Sequence, residues 1–178
     1  MCTSIILFRK SHDWPLIIAS NRDESLNRKS LLPGRYWNKY PYILGGKDLK
    51  KNGSWIGVSN NKIVSIIHNR ETNKLKKKFI SRGKLVLEVL KYNNIEYAVK
   101  YLKNIEKENF DNFILFISSI KKCFWIKNDN KYKKIIVKEL DEGLHILTGK
   151  DYKDKKDKKY AYYFKLFNSL DYPNPTTN

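Results

Sequence analysis

The first two dozen residues constrain the fold more than any other part of the chain. Two apolar runs of strand length, at 5–8 and 14–19, are separated by a short charged break. This pattern predicts a β-hairpin. In antiparallel pairing the start of one strand lies beside the end of the next. Cys2 is therefore expected close to the polar run Ser-Asn-Arg-Asp-Glu at 20–24.

Cys2 would become a reactive residue if removal of Met1 made it the N-terminal residue of the protein. Its own α-amine, with a reference pKa of about 8, would then accept the thiol proton, so that nucleophile and base share one residue. Arg22 is expected to lower the thiol pKa, and Asp23 is expected to orient the amine or a substrate. Taken alone, a cysteine at position 2 is usually a small residue that opens a strand. The polar run beside it is what favours a reactive site.

Several segments give the chain a resemblance to a known family. The motif Asn21-Arg22-Asp23-Glu24 follows Met1-Cys2, and further matching segments occur in order along the chain: Leu44–Asp48, Gly53–Val58, His68–Arg70, Ser81–Leu85, Asn112–Phe113 and Gly143–His145. Over residues 1–149 these segments resemble the NRDE family, also called the transport and Golgi organisation protein 2 family. That family in turn resembles the cysteine N-terminal-nucleophile hydrolases, among them bile-salt hydrolases and penicillin V acylases.

The resemblance implies a fold and a set of site residues. The implied fold is α+β, a four-layer α-β-β-α sandwich with antiparallel sheets. Cys2 corresponds to the nucleophile, Asn21 and Asp23 to the polar pair after the second strand, and Asn69 to a contributor to the oxyanion hole. Family members continue well beyond this length with a Trp-Pro-Lys stretch, which is absent after Gly149. We therefore expect a fold shortened at the C-terminus.

The remaining periodicities predict blocks of strands and blocks of helices. One domain is expected over residues 1–170, followed by a disordered tail at 171–178. Strands and helices segregated in blocks favour antiparallel sheets with helices on their outer faces. The predicted elements are a hairpin at 54–58 and 63–67, helices from Ser81 and at 95–105, strands at 113–118, 123–127, 134–140 and 145–148, and a helix at 160–170 with Tyr163, Phe164 and Phe167 inward.

Residues 25–42 show no strand pattern and are predicted to form a long ordered loop. Its Tyr36 and Trp37 either cover one end of the core or form the wall of a ligand pocket, and we keep both as ligand-binding candidates. A turn is predicted at 46–49. Arg82 is expected in the first turn of its helix, where a cation opposes the helix dipole, which indicates an ion pair or a ligand contact.

The formal charge of +18 does not by itself indicate a nucleic-acid partner. The cations are 30 Lys and only 6 Arg, scattered along the chain and including a basic run at 74–78 that is expected to be solvated. Specific phosphate and base recognition favours Arg, and no nucleic-acid-binding motif is found. Lysine enriched together with asparagine and isoleucine is typical of an AT-rich genome. No specific nucleic acid is expected as a partner.

The chain has two cysteines far apart in the sequence, Cys2 and Cys123, which show neither a disulfide framework nor metal-ligand spacing. This favours a reducing, cytoplasmic compartment and a protein without a metal or cofactor. Cys123 itself is interpreted as structural. The longest apolar run is about seven residues, so neither a membrane span nor a secretory signal is expected.

Three functions remain open from the sequence. The first is an enzyme in which Cys2 attacks an amide, ester or thioester carbonyl. The second is a non-catalytic carrier or adaptor for haem or an acyl-type ligand, linked by the family resemblance to secretory-pathway organisation. The third, ranked last, is a basic surface that binds RNA. The state of the N-terminus separates the first two, since only the enzyme requires removal of Met1.

Overall fold

The computed structural model describes residues 2–71, 79–173 and 175. Within these residues the chain forms strands, α-helices and a short 3-10 turn at Lys107–Asn109. The elements, in chain order, are β1 (Thr3–Phe8), β2 (Leu16–Asn21), β3 (Ser30–Gly34), β4 (Ile43–Asp48), β5 (Ile56–Ser59), β6 (Val64–Asn69), α1 (Gly83–Val89), α2 (Ile95–Lys103), β7 (Phe113–Ser118), β8 (Cys123–Asn128), β9 (Ile136–Leu140), β10 (Gly143–Leu147) and α3 (Lys158–Asn168).

The strands form two antiparallel sheets. A seven-stranded sheet has the order β3-β4-β5-β6-β7-β8-β9, so every strand pairs with its neighbours in sequence. A three-stranded sheet has the order β10-β1-β2, with the first strand of the chain in the middle. Because β1 is paired on both sides, its whole backbone is fixed by ladder hydrogen bonds. Strand β1 is thereby held in the middle of the small sheet.

Alternate residues of the inner strands face different apolar layers. Ile6 and Phe8 of β1 meet Ile66 and Phe116 of the large sheet between the two sheets. On its other face the large sheet packs against α1 and α2, where Leu85 is among the fully buried residues. This alternation is the period of two that a buried strand requires.

The helices complete a sandwich of four layers. Helices α1 and α2 cover the large sheet, and α3 packs against β10 on the outer face of the small sheet. The order of layers is therefore helix, seven strands, three strands, helix. The predicted α+β class and α-β-β-α architecture are confirmed.

The two hairpins predicted before the first helix supply four strands, whereas the structure has six in this region. Strand β3 lies within the predicted loop at 25–42, and β4 includes most of the predicted turn at 46–49. Strand β3 is an edge strand exposed along most of its length, so it carries no apolar alternation. The glycines of β4 are explained by close packing, since a Cβ on Gly45 would lie 2.6 Å from the Ile56 carbonyl oxygen.

The C-terminal helix is less buried than its pattern suggested. Tyr163, Phe164 and Phe167 of α3 are half-buried, and none of the residues of this helix is fully buried. Beyond it, the carbonyl oxygen of Pro173 accepts a hydrogen bond of 3.2 Å from Arg9. The predicted domain limits, 1–170 and 171–178, stay predictions.

Two sequence-based expectations concern solvated or membrane-crossing segments. The basic run at 74–78 lies outside the described residues. Across the described ranges, no helix is both long enough and apolar enough to cross a membrane.

The contact between the sheets predicts a large effect of truncating Phe116. Its side chain is 1% exposed, between the two sheets, so Phe116→Ala is expected to lower the free energy of unfolding by about 3–5 kcal/mol. Leu32→Ala is a suitable control because Leu32 is 84% exposed, and its effect is expected within about 0.5 kcal/mol. Urea unfolding of both variants measures the difference, and equal losses would contradict the proposed interface.

Candidate functional site

The pairing of β1 with β2 brings the predicted site residues together. Thr3 pairs with Asn21 at the end of the ladder, which places Cys2 beside the polar run. The Thr3 backbone N–H donates to Asn21 Oδ1 at 2.9 Å, and Asn21 Nδ2 donates to Asp23 Oδ1 at 2.8 Å. The Cys2 sulfur lies 3.9 Å from the backbone oxygen of Asp23. One short hairpin thus brings a thiol into the neighbourhood of a hydrogen-bonded amide and carboxylate.

Asp23 has a second partner that sequence reasoning missed. Lys159, in the first turn of α3, donates to Asp23 Oδ2 at 2.8 Å. This hydrogen bond lowers the pKa of the Asp23 carboxyl and raises that of the Lys159 ammonium. Both side chains are partly exposed, so the ion pair orients Asp23 more than it stabilises the fold.

Lys159 is itself held in place by the cap of α3. Asp157, at the N-cap, accepts a hydrogen bond from the Lys159 backbone N–H at 3.0 Å. The other carboxylate oxygen of Asp157 accepts from Thr148 Oγ1 at 2.5 Å, just after β10. The charge run from 151 to 159 gave no signal for this role, because only the folded chain brings its end to Asp23.

Arg22 points away from Asp23 and toward the large sheet. Its Nη2 donates to Asp48 Oδ2 at 3.1 Å, and its guanidinium lies 4.8 Å from the centre of the Trp55 ring. Arg28 Nε donates to the same Asp48 oxygen at 2.6 Å. Both arginines therefore share the Asp48 carboxylate, and Arg28 has a second partner in Glu24, whose Oε2 lies 3.3 Å from Arg28 Nη1.

A cavity of about 210 Å³ opens between these groups, and we call it the Cys2 cavity. Its wall combines Cys2 with polar, charged and apolar side chains. The residues that form it are Cys2, Arg22, Glu24, Arg28, Asp48, Lys51, Ser54, Trp55, Ile67, Asn69, Phe79, Ile80, Ser81, Arg82, Gly83 and Asp111. Asn69, the last residue of β6, is thus on the same cavity as Cys2.

Arg82 also lines the Cys2 cavity, as the residue before α1 rather than within its first turn. The expected ion pair is present, since Nη1 lies 3.4 Å from Asp111 Oδ2 and donates to the Asn112 carbonyl oxygen at 2.7 Å. Burial lowers the pKa of the Arg82 guanidinium. The group is still a cation at neutral pH because arginine starts from a very high pKa.

Tyr36 and Trp37 lie away from the Cys2 cavity. Tyr36 donates to the Leu32 carbonyl oxygen at 2.7 Å, and Trp37 Nε1 donates to the Asn52 carbonyl oxygen at 3.0 Å. Trp37 also packs against the core between the large sheet and α1 and α2. Neither side chain is among those that form the Cys2 cavity. Their predicted contact with a ligand stays a prediction.

His68 is buried in β6. Its Nε2 is 2.9 Å from Ser4 Oγ, which is 2.8 Å from Ser20 Oγ. This chain of three polar side chains crosses between the two sheets, two residues along β1 from Cys2. Burial lowers the pKa of His68 to about 4. The ring is therefore neutral at neutral pH.

The remaining candidates for chemistry are structural. Cys123 is fully buried, with its sulfur 3.6 Å from the Leu140 carbonyl oxygen, and burial raises its pKa to about 12. Such a thiol is almost entirely protonated at neutral pH and is unreactive. In the part of the chain that the structure describes, no group of three or more His, Cys, Asp or Glu side chains is placed to hold a metal ion.

The buried His68 predicts a specific pH dependence of stability. Between about pH 6.5 and about pH 4 the unfolded chain binds a proton at this ring and the folded chain does not, so the free energy of unfolding falls as pH falls. The full change across this window is roughly 3 kcal/mol. Urea unfolding at several pH values should show this slope reduced in His68→Gln.

The matched control is His12→Gln, because His12 lies at the exposed turn of the first hairpin. This variant is expected to keep the wild-type slope between pH 4 and pH 6.5. An unchanged slope in His68→Gln would contradict the neutral, buried state of the ring.

Comparison with known proteins identifies the family of the chain. The family model described as Transport and Golgi organisation 2 matches residues 1–171. The human Transport and Golgi organization protein 2 homolog is 32% identical over 96 residues, which are 52% of this chain and 34% of that protein. The mouse homologue gives the same identity and coverage. The matched region spans only about a third of the length of these relatives.

Solved structures show the same fold at low sequence identity. The Caenorhabditis elegans ortholog of N-acylethanolamine-hydrolyzing acid amidase matches 97% of this chain and 81% of its own, with a TM-score of 0.69 and 14% identity. The C2A mutant of conjugated bile acid hydrolase from Clostridium perfringens matches 97% and 59%, with a TM-score of 0.58 and 18% identity. These likenesses show the N-terminal-nucleophile hydrolase fold. By its family match over almost the whole sequence, the chain belongs to the Transport and Golgi organisation 2 family.

Proposed function

We propose that the protein is a cysteine-dependent N-terminal-nucleophile hydrolase acting on an amide, ester or thioester bond of a small molecule. The observation that carries the proposal is that the Cys2 sulfur, on the wall of a cavity, lies 3.9 Å from the backbone oxygen of Asp23, whose side chain is bonded to Asn21. The hydrolases named among the structural neighbours support the reaction class through their fold.

The proposed reaction begins after removal of Met1. The free α-amine of Cys2 takes the thiol proton, and the thiolate sulfur attacks the substrate carbonyl carbon. The tetrahedral intermediate collapses as the bond to the leaving group breaks, and the ammonium returns the proton to that group. Water, deprotonated by the same amine, then cleaves the thioester between the acyl group and Cys2, which regenerates the enzyme.

The other site residues position these groups. Asp23 holds the amine, and Lys159 and Asn21 hold Asp23 through its two carboxylate oxygens. Asn69 is proposed to donate to the oxyanion of the tetrahedral intermediate, where one such donor contributes about 10²–10³ to the rate. Arg22 is proposed to contact the substrate, because it lines the Cys2 cavity while it is held by Asp48. The proposal includes a cytoplasmic location, which two unpaired cysteines favour.

Intact mass and thiol labelling test the first requirement of this mechanism. The purified protein is expected to lack Met1, and a limiting amount of iodoacetamide at neutral pH should label Cys2 well before the buried Cys123. Cys123→Ser is the matched control and should leave the labelling rate unchanged, whereas Cys2→Ser should abolish it. A retained Met1 would exclude this mechanism, because the α-amine would then belong to another residue.

Replacement of Lys159 tests the positioning of Asp23. Lys159→Gln is expected to slow transfer of the acyl group from an activated ester to Cys2 by about tenfold to a hundredfold, because a misplaced catalytic group loses most of its effect. Carbon-13 NMR should also show a higher pKa for Asp23. Lys159→Arg should restore most of the rate. Lys158→Gln removes a neighbouring charge of the same helix and should change neither quantity.

A second candidate function is a carrier for an anionic, partly apolar ligand. It is favoured by the cavity lining, where four cations face only three carboxylates: Arg22, Arg28, Lys51 and Arg82 against Glu24, Asp48 and Asp111. An acyl-type anion or haem would match this excess charge. A carrier is indifferent to Met1, so binding of an acyl-CoA or haemin that persists in Cys2→Ala and with Met1 retained would favour it over the hydrolase.

A further inference from the structure

A second cavity, of about 320 Å³, lies on the face of the small sheet that is turned away from the large sheet. We call it the α3 cavity because that helix covers it. Its wall is almost entirely apolar and is formed by Ile5, Leu7, Ile17, Ala19, Leu144, Phe167, Leu170, Asp171, Tyr172 and Pro173. Its volume falls within the range of cavities that bind small molecules.

The α3 cavity is separated from the Cys2 cavity by the small sheet itself. Ile5 and Leu7 alternate along β1 with Ile6 and Phe8, which face the large sheet. Side chains of a strand point alternately to its two faces. A molecule in the α3 cavity would therefore lie outside the sandwich of sheets and would not touch Cys2.

The incomplete burial of α3 explains why the cavity exists. Its Phe167 is half-buried, and Leu170 just beyond the helix is 53% exposed. Apolar surface of the sheet is therefore left in contact with water beneath the helix. A hydrocarbon chain that displaced this water would gain about 0.8 kcal/mol for each buried methylene, or about fourfold in affinity.

One end of the α3 cavity is next to a half-buried cation, Arg9. Arg9 follows β1, and its Nη2 donates to the carbonyl oxygen of Pro173, which forms part of the wall. Its Nε is buried and has no hydrogen-bond acceptor among the described residues. A buried donor without an acceptor is costly, and a carboxylate is the anion that fits the planar guanidinium best. Asp171, the one carboxylate of the wall, belongs to an exposed residue.

From these observations we propose that the α3 cavity binds a long-chain fatty-acid anion. The hydrocarbon chain lies between the outer face of the small sheet and α3, and the carboxylate accepts hydrogen bonds from Arg9. The site is independent of the proposed hydrolase reaction and would be present whether or not Cys2 is reactive.

Displacement of a fluorescent fatty acid, cis-parinaric acid, from the full-length protein tests the proposal. Saturated fatty acids of 8, 10 and 12 carbons are expected to displace it with affinity rising about fourfold per methylene until the cavity is filled. Arg9→Gln should weaken fatty-acid binding about 10- to 100-fold while leaving the matching fatty alcohols unaffected. Lys10→Gln is the control, since Lys10 Nζ lies 5.8 Å from the ring of Phe8, on the other face.

Two further variants locate the bound chain. Leu144→Trp should block binding by filling the cavity, and Ala19→Phe does the same from an exposed position if the first variant fails to fold. Cys2→Ala should leave binding intact. The proposal is overturned if Cys2→Ala abolishes binding, if both blocking variants bind normally, or if Arg9→Gln weakens acids and alcohols equally.

Discussion

The pairing of β1 with β2 is the interaction on which the candidate site depends. It sets Thr3 opposite Asn21. A hydrogen bond from the Thr3 N–H to the Asn21 side chain then adds one contact to those of the two backbones. The register cannot slip by one residue, because Ile6 and Phe8 would then leave the space between the sheets. The position of Cys2 is therefore determined by packing of the core several residues away.

Polar side chains then fix the orientation of the groups that the strand register brings together. Asp23 is held from two sides, by Asn21 of the hairpin and by Lys159 of α3, which is 136 positions along the chain. These bonds are partly exposed, so each contributes little to folding, and their effect is to restrict the orientation of one carboxylate. Restricting orientation is what a catalytic group requires. The two hydrogen bonds to Asp23 thus orient this carboxylate more than they stabilise the fold.

The sequence predicted the parts of the structure in which local pattern and tertiary environment agree. The first hairpin, the pair β5 and β6, and the layer order followed from alternation and from the family resemblance. Strand β3 could not be predicted, because an exposed edge strand has no buried face to leave an apolar pattern. Lys159 could not be predicted either, since one lysine in a basic segment is distinguished only by the carboxylate that the fold brings to it.

The polar chain through His68 shows how the two sheets are aligned at the site. Apolar side chains alone tolerate small sliding of one layer over another, whereas Ser4 and His68 must meet within hydrogen-bond distance. Ser4 is two residues from Cys2, and His68 is followed by Asn69 on the same cavity. One buried contact therefore relates the proposed nucleophile beside the small sheet to the proposed oxyanion donor on the large sheet. A neutral ring is required for this role, because an imidazolium between two apolar layers would be strongly destabilising.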